Sequence, residues 1–285
     1  LNLAYIPAQE IPQAYARDPR FESDAIAWNT GADFSAGVPP IAPPEVAKFL
    51  RSSLKGRLIA WDPIAGEPRW TVEHDNAWNG GVLSTAGGLV FQGKLNGEFA
   101  AYDAATGDKL WSHDLKSGGA SGPGTFMIDG EQYVTITTGW GSAFGLSAGF
   151  AYDETVPSTV GKVVTFKLGG EGEIADPDFP MIDKTPKADS FGDETMIAEG
   201  AVHYARNCTV CHGPLAVSSG VLPDLRWSAI TGNETAWKGV VIDGNLAVNG
   251  MVSFADYLTP EQSESIRAYV LAQAHAAATA EAGEN

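Results

Sequence analysis

The sequence contains 285 residues, of which 44% are hydrophobic and 19% are charged. This composition is typical of soluble globular proteins and excludes wholesale disorder, and the length is sufficient for two domains. The formal net charge of −17 argues against a nucleic-acid partner. No run approaches the roughly eighteen consecutive apolar residues of a transmembrane helix, so no such segment is predicted.

The chain begins with LNLAYIPAQEIP, a strand-like run that has neither an initiator Met nor an apolar leader before it. We expect such a start in a processed product or in an internal fragment of a longer protein. Residues 1–8 are therefore interpreted as part of a strand-rich region that continues later in the chain.

Residues 58–170 contain short alternating apolar runs separated by turn residues, which is the pattern of β-strands. A repeat with an offset of 41 residues occurs among them, in which Ala60, Asp62, Gly66 and Trp70 recur as Ala101, Asp103, Gly107 and Trp111. The Asp and the Gly are expected to close a tight turn, and the Trp is expected to pack on the neighbouring repeat.

A period of about forty residues made of short strands is typical of the four-stranded blades of a β-propeller. Two clear repeats are present, with partial strands at residues 1–8 and 125–168. Because an open arc of blades leaves strand edges unpaired, we expect this partial β-propeller to pair with something else.

Residues 171–190 lose the strand pattern and gain Pro and Asp, as a linker does. Beyond them, Ile197, Ala201 and Tyr204 have helical spacing, and Thr259–Gln262 forms a capping box before a second apolar helix. The predicted organisation is an all-β region at 1–170, a linker at 171–190 and an all-α domain at 191–285.

The predicted all-α domain contains RNCTVCHGP, in which Cys208, Cys211 and His212 form a C-x-x-C-H motif. Two thiols at this spacing can add to the vinyl groups of haem, and the following His can bind the iron. A C-x-x-C pair also occurs in redox and zinc sites, but no second pair of cysteines is present here. The motif therefore predicts haem c and, because haem is normally attached outside the bacterial cytoplasm, a periplasmic location.

The axial ligands of the haem iron are predicted from residues around the motif. His212 is expected to bind iron through one ring nitrogen while the Pro223 carbonyl holds the other. Met251 is the expected sixth ligand, since it is the only Met on the C-terminal side of the motif and its thioether would raise the potential. His275 and an open position are the alternatives. The remaining methionines are interpreted as packing residues: Met127, Met181 and Met196.

Several motifs along the chain occur together in one order. They are YIPAQE, GRLIAWDP, EHDNAWNGGVLSTAGGLVFQG, AYDAATGDKLW, GWGSAFG, CTVCHGP, LPDLR and NGMVSFADYLTPEQ. On these motifs the chain resembles, over nearly its whole length, the C-terminal part of a quinohaemoprotein (PQQ-dependent, type II-like) alcohol dehydrogenase. That family joins an eight-bladed PQQ-binding propeller to a class I-like cytochrome c domain, so the resemblance implies that residues 1–170 are the closing blades.

The resemblance also implies roles for four residues of the β region. Trp78 and Asn79 match the segment beside PQQ, while Trp140 and Phe144 match a loop near the substrate cavity. Ordinary blade packing is the alternative for both tryptophans. The catalytic Asp, the metal ligands and most PQQ contacts of the family lie in earlier blades, so no catalytic residue is expected in this chain.

The favoured hypothesis is the haem-bearing part of a PQQ-dependent dehydrogenase of alcohols or polyols, completed by a second chain with the N-terminal blades and the catalytic Asp. Electrons would pass from PQQ, held with Ca²⁺ or a lanthanide, through haem c to an external cytochrome, blue copper protein or quinone. The alternatives are a stand-alone electron-transfer cytochrome with a β docking region, and a sugar or polymeric alcohol as the substrate. The acidic surface would keep the protein soluble or steer a basic redox partner.

Overall fold

The computed structural model describes residues 1–285 except 13–14, 24–28, 34–35, 37–38, 43, 141–148, 150–159, 179–181, 219 and 284–285. Its contacts divide the chain into two compact units. The β unit comprises residues 1–12, 49–145 and 151–180, and the helical unit comprises residues 13–48, 146–150 and 181–285. The predicted linear division does not anticipate the grouping of residues 13–48 with the C-terminal part, because local sequence patterns carry no signal for such distant contacts.

The β unit contains three antiparallel sheets. The first has the order β1 (Ala4–Glu10), β2 (Lys55–Asp62), β3 (Glu67–His74). The second has the order β4 (Val82–Ser84), β5 (Leu89–Gly93), β6 (Glu98–Asp103), β7 (Lys109–Asp114). The third has the order β10 (Val163–Lys167), β9 (Glu131–Thr137), β8 (Gly124–Ile128).

The 41-residue repeat occupies equivalent positions in the first two sheets. Ala60 pairs with Trp70 in the first sheet as Ala101 pairs with Trp111 in the second, and the register shifts directly after Ala60 and after Ala101. The repeat therefore marks two copies of one strand pair with the same irregularity.

The turn of each repeat has the expected form. The amide of Gly107 donates to the Asp103 carbonyl at 2.9 Å, and the Asp103 carboxylate accepts from the amides of Ala105 and Thr106. Gly107 has a φ of +80°, a conformation that favours glycine. The predicted turn is confirmed.

The sheets of the β unit pack face to face through the repeated Trp. The indole nitrogen of Trp70 in the first sheet donates to the Ala104 carbonyl of the second at 3.1 Å. A Cβ placed on Gly107 would lie 2.8 Å from the Trp70 ring, so the ring rests directly on this glycine. In the next layer, Phe99 of β6 contacts Phe166 of β10, with 5.5 Å between ring centroids. The three sheets stack as successive blades do, and the described strands do not close a ring.

The helices include the two that the sequence predicted, Glu194–Asn207 and Pro260–Gly283, and others that it did not. After α1 (Pro44–Ser53), which precedes β2, the helices are α2 (Glu194–Asn207), α3 (Thr209–His212), α4 (Glu234–Val241) and α5 (Pro260–Gly283), with short 3-10 helices at Pro214–Ala216, Leu225–Trp227, Ala229–Gly232 and Ala247–Asn249. The predicted capping box is confirmed, because Thr259 and Gln262 exchange side-chain to backbone hydrogen bonds of 2.9 and 3.2 Å. In the described part of the chain, no helix is both long and apolar enough to cross a bilayer.

Candidate haem site and cofactor loop

The C-x-x-C-H motif lies where α2 passes into α3. The amide of Cys208 donates to the Tyr204 carbonyl at 2.8 Å, and the amide of His212 donates to the Cys208 carbonyl at 2.9 Å. This helical turn brings both cysteines and His212 close together. Cys208 is buried, Cys211 is exposed, and neither forms a disulfide. Burial raises the pKa of Cys208 to about 12 and also raises the pKa of Cys211, so both thiols are protonated at neutral pH.

His212 is buried and held by a single backbone acceptor. Its Nδ1 lies 3.0 Å from the Pro223 carbonyl oxygen, which is the partner that the sequence suggested. Burial lowers the pKa of His212, although the bond to Pro223 opposes the shift, so the imidazole is neutral at pH 7. A neutral imidazole whose Nδ1–H is engaged has its Nε2 lone pair available for iron. The donor set therefore fits a covalently attached haem.

The loop after His212 is tightly constrained. The buried Tyr204 hydroxyl donates to the Gly213 carbonyl at 2.8 Å. Gly213 has a φ of +79°, and a Cβ there would lie 2.1 Å from the Val217 carbonyl oxygen, so no other residue fits. Leu215 and Ala216 also have positive φ values of 59° and 58°, which are strained for residues with a Cβ.

Met251 follows the 3-10 helix at Ala247–Asn249 and packs against the hydrophobic core of the helical unit. Gly250 before it has a φ of +95°, and the Met251 amide donates to the Leu246 carbonyl at 3.2 Å. His275, the alternative sixth ligand, instead has its Nε2 at 2.9 Å from the Ala188 carbonyl. This hydrogen bond favours Met251, whose role as the sixth ligand stays a prediction.

In the β unit, Asn79 bonds to Leu95 and Trp140 lies against Gly118. The side-chain nitrogen Nδ2 of Asn79 donates to the Asn76 carbonyl at 2.6 Å, and its side-chain oxygen Oδ1 accepts from the Leu95 backbone amide at 3.3 Å. A Cβ on Gly118 would lie 2.4 Å from the Trp140 ring and 3.2 Å from the Leu95 carbonyl oxygen. The buried Trp140 ring therefore covers the Gly118 backbone, near the turn between β5 and β6 that Asn79 holds.

Trp78 is buried next to Asn79, and Phe144 lies outside the described residues. Because both atoms of the Asn79 amide are engaged within the chain, Asn79 orders the loop from residue 76 to residue 80. Its predicted place beside PQQ, like the predicted roles of Trp78, Trp140 and Phe144, remains a prediction.

A buried pair that sequence reasoning missed supports the same loop. His74 Nε2 lies 2.9 Å from Gln92 Oε1, and Gln92 Nε2 donates to the Gly80 carbonyl at 3.0 Å. Burial lowers the pKa of His74, so the ring is neutral. His74 is the last residue of β3, Gln92 lies in β5 of another sheet, and no local pattern in the sequence indicates their contact.

The chain matches two protein families. Residues 36–134 match the β-propeller domain of glucose, ethanol and alcohol dehydrogenases named PQQ, and residues 195–270 match cytochrome c oxidase, cbb3-type, subunit III. The quinohemoprotein alcohol dehydrogenase ADH-IIG of Pseudomonas putida is 39% identical over 285 residues, which cover 96% of this chain and 38% of that protein. The chain is related to the quinohaemoprotein alcohol dehydrogenases. The predicted resemblance is thus confirmed.

Other quinohaemoprotein relatives match the chain over a similar share of its length. The dehydrogenase subunit of the alcohol dehydrogenase (quinone) of Acetobacter aceti is 36% identical over 96% of this chain and 37% of its own length. The structure of ADH-IIG superposes with a TM-score of 0.88 at 38% identity, covering 98% of this chain and 40% of that one. The quinohemoprotein alcohol dehydrogenase of Comamonas testosteroni gives a TM-score of 0.73 at 32% identity, covering 96% and 39%. The chain spans about two fifths of these relatives' length.

No group of three or more His, Cys, Asp or Glu side chains that could hold a metal ion occurs within the described ranges. Calcium or a lanthanide is what the family resemblance implies. The metal therefore stays part of the proposal below.

Proposed function

We propose that this chain is the haem-bearing part of a periplasmic quinohaemoprotein dehydrogenase of alcohols or polyols. Its helical unit would be a class I-like cytochrome c domain, and its β unit would supply the closing blades of an eight-bladed propeller. The remaining blades, with the catalytic Asp and the Ca²⁺ or lanthanide site, would come from sequence outside residues 1–285. In the proposed arrangement, a second chain carries these remaining blades.

The observation that carries this proposal is the position of His212. The ring is buried, its Nδ1 is engaged by the Pro223 carbonyl at 3.0 Å, and two cysteines lie within one helical turn of it. A zinc-binding histidine can be held in the same way, so it is the C-x-x-C-H spacing together with this held imidazole that favours a haem ligand. The same chain contains stacked sheets that match the PQQ propeller family.

The β unit would form one side of the PQQ site. PQQ, when bound, accepts the electrons that leave the alcohol carbon. Trp78, Asn79 and Trp140 would shape this side of the site and exclude water from it, because both rings are buried and Asn79 orders the loop that carries Trp78. His212 and Met251 would hold the haem, which would supply one-electron transfer towards an external acceptor such as a cytochrome, a blue copper protein or a quinone.

The first test is the native mass of the purified material with its cofactors retained, followed by the haem spectrum after an alcohol is added. We expect the native mass to show a complex that contains PQQ, a metal ion, one covalent haem and the missing blades. We expect the haem spectrum to show reduction after the alcohol is added, at a rate comparable to catalytic turnover. Rates across primary alcohols, polyols, sugars and polymeric alcohols would then define the substrate class.

Two results would contradict the proposal. A chain without covalent haem would remove the electron-transfer role. A stable, monodisperse chain with haem but without PQQ, which no alcohol reduces, would leave a stand-alone cytochrome whose β unit serves only for docking.

A further inference from the structure

The orientation of the Pro223 carbonyl, which holds His212, depends on the residue that follows it. Proline has no amide hydrogen and cannot anchor itself to the loop by a backbone donor. The Asp224 carboxylate instead accepts hydrogen bonds from the amide of Ser218 at 3.3 Å and from the amide of Arg226 at 3.1 Å. Asp224 thus ties together the chain segments on both sides of Pro223.

Arg226 fixes the orientation of this carboxylate. Its Nε donates to Oδ1 of Asp224 at 3.0 Å and its Nη2 donates to Oδ2 at 2.7 Å, a two-pronged contact that a lysine cannot reproduce. The two side chains are only 16% and 14% exposed. The guanidinium carbon also lies 5.2 Å from the centre of the Trp227 ring, which restrains it further.

A second tie lies on the other side of Pro223. The Ser218 hydroxyl donates to the Leu222 carbonyl and accepts from the Gly220 amide at 3.0 Å. With residues 218 and 222 joined in this way and Asp224 bonded to Ser218, the Pro223 carbonyl is restricted to an orientation that faces His212 Nδ1.

We propose that Arg226, acting through Asp224 and Pro223, is a positioning residue that sets the reduction potential of the haem. This inference rests on the haem attachment proposed above. A firm hydrogen bond from Nδ1–H to a carbonyl makes the imidazole a stronger donor to iron and favours the oxidised state. When Arg226 no longer orients Asp224, the carbonyl moves, the donor weakens and the potential rises.

A simple charge effect of Arg226 would act in the opposite direction. Removing a positive charge near the iron favours the oxidised state and lowers the potential. Two variants of the full haem-containing chain separate these effects: Arg226→Gln removes the charge and both side-chain bonds, and Arg226→Lys keeps the charge but loses the two-pronged contact. The matched control is Lys238→Gln, which removes a positive charge from an exposed pair with Asp243 that is not bonded to the loop.

The midpoint potential is measured by redox titration after mass spectrometry has verified one covalent haem per chain. Both Arg226 variants should raise the ratio of reduced to oxidised haem at a fixed solution potential by about threefold to tenfold, and tenfold corresponds to about 59 mV for one electron. In the reduced protein, the Nδ1–H proton of His212 should also exchange faster with solvent by NMR. Lys238→Gln should change neither quantity.

A lower potential in Arg226→Gln with an unchanged one in Arg226→Lys would show that Arg226 acts only as a charge, and unchanged values in both would show no role. If Arg226→Gln does not fold, Arg226→Lys alone decides between the two roles. A higher reduction potential in Arg226→Lys would support the positioning role, and an unchanged potential would overturn it. A wild-type chain without covalent haem would overturn the proposed function and this inference together.

Discussion

Gly107 and Gly66 occupy the same position in the two copies of the repeat and differ in what covers them. Gly66 has a φ of +72°, and a Cβ added there would meet nothing within 4 Å. Gly107 has a φ of +80°, and a Cβ added there would lie 2.8 Å from the Trp70 ring. Replacing either glycine with Ala costs about 1–2 kcal/mol for the left-handed backbone. At Gly107 the collision with Trp70 adds about 1–3 kcal/mol of overpacking.

Gly107→Ala should therefore destabilise the β unit of the chain by about 2–5 kcal/mol, and Gly66→Ala by about 1–2 kcal/mol. Urea unfolding followed by circular dichroism measures the difference, which we expect as a separation of midpoints on the order of 1 M. Haem absorbance recorded in parallel distinguishes unfolding of the helical unit, because the two units need not unfold together.

Equal midpoints for the two variants would refute the role of Trp70 as the contact between sheets. The comparison also tests the proposed propeller. When the preceding blades are present, a Trp from the adjacent blade should cover Gly66, so Gly66→Ala should then be as destabilising as Gly107→Ala. An unchanged effect of Gly66→Ala in the completed enzyme would contradict the repeat as a continuous series of blades.

Two further predictions concern the haem and the acid stability of the β unit. Met251→Ala should convert the haem to a high-spin form and lower its reduction potential, because the thioether is lost, whereas the control Met196→Ala should leave the haem spectrum unchanged. Optical redox titration measures the spectrum and the potential of both variants. An unaltered spectrum in Met251→Ala would exclude this residue as a ligand. Burial raises the pKa of Glu98, but hydrogen bonds from Lys109 and Lys94 dominate and lower it from 4.5 to about 2. The stabilisation from the ionised Glu98 carboxylate is therefore present above pH 4.5 and lost as the pH falls towards 2, and it amounts to about 1–2 kcal/mol after allowance for solvent screening. Glu98→Gln should remove this part of the acid dependence of stability, measured by urea titrations at several pH values. An identical pH profile in the variant and the wild type would contradict this role of Glu98.

The haem motif, the capping box and the repeat were visible in the sequence for one physical reason. Each depends on residues a few positions apart, whose relative placement is determined by helix or turn geometry. Cys208, Cys211 and His212 lie on one helical turn, Thr259 and Gln262 cap one helix, and the Asp and Gly of each repeat close one turn.

The contacts between distant segments could not be predicted in this way. The pairing of Arg226 with Asp224 was present in LPDLR as two nearby charges, but its effect on Pro223 depends on Ser218 in the preceding loop. The contact between His74 and Gln92 joins β3 of one sheet to β5 of another, and the strand pattern predicts each strand separately.

The sequence alone therefore determined the chemistry that this protein can carry, because a covalent haem requires a fixed local spacing of two thiols and an imidazole. The tertiary structure decided how that chemistry is held. It grouped residues 13–48 with the helical unit through contacts such as the ion pair of Arg206 with the buried Asp18 at 3.1 Å. It also brought Asn79 to Leu95 and the Trp140 ring onto Gly118. Such contacts depend on packing between segments far apart in the chain, and no periodic pattern of residues encodes them.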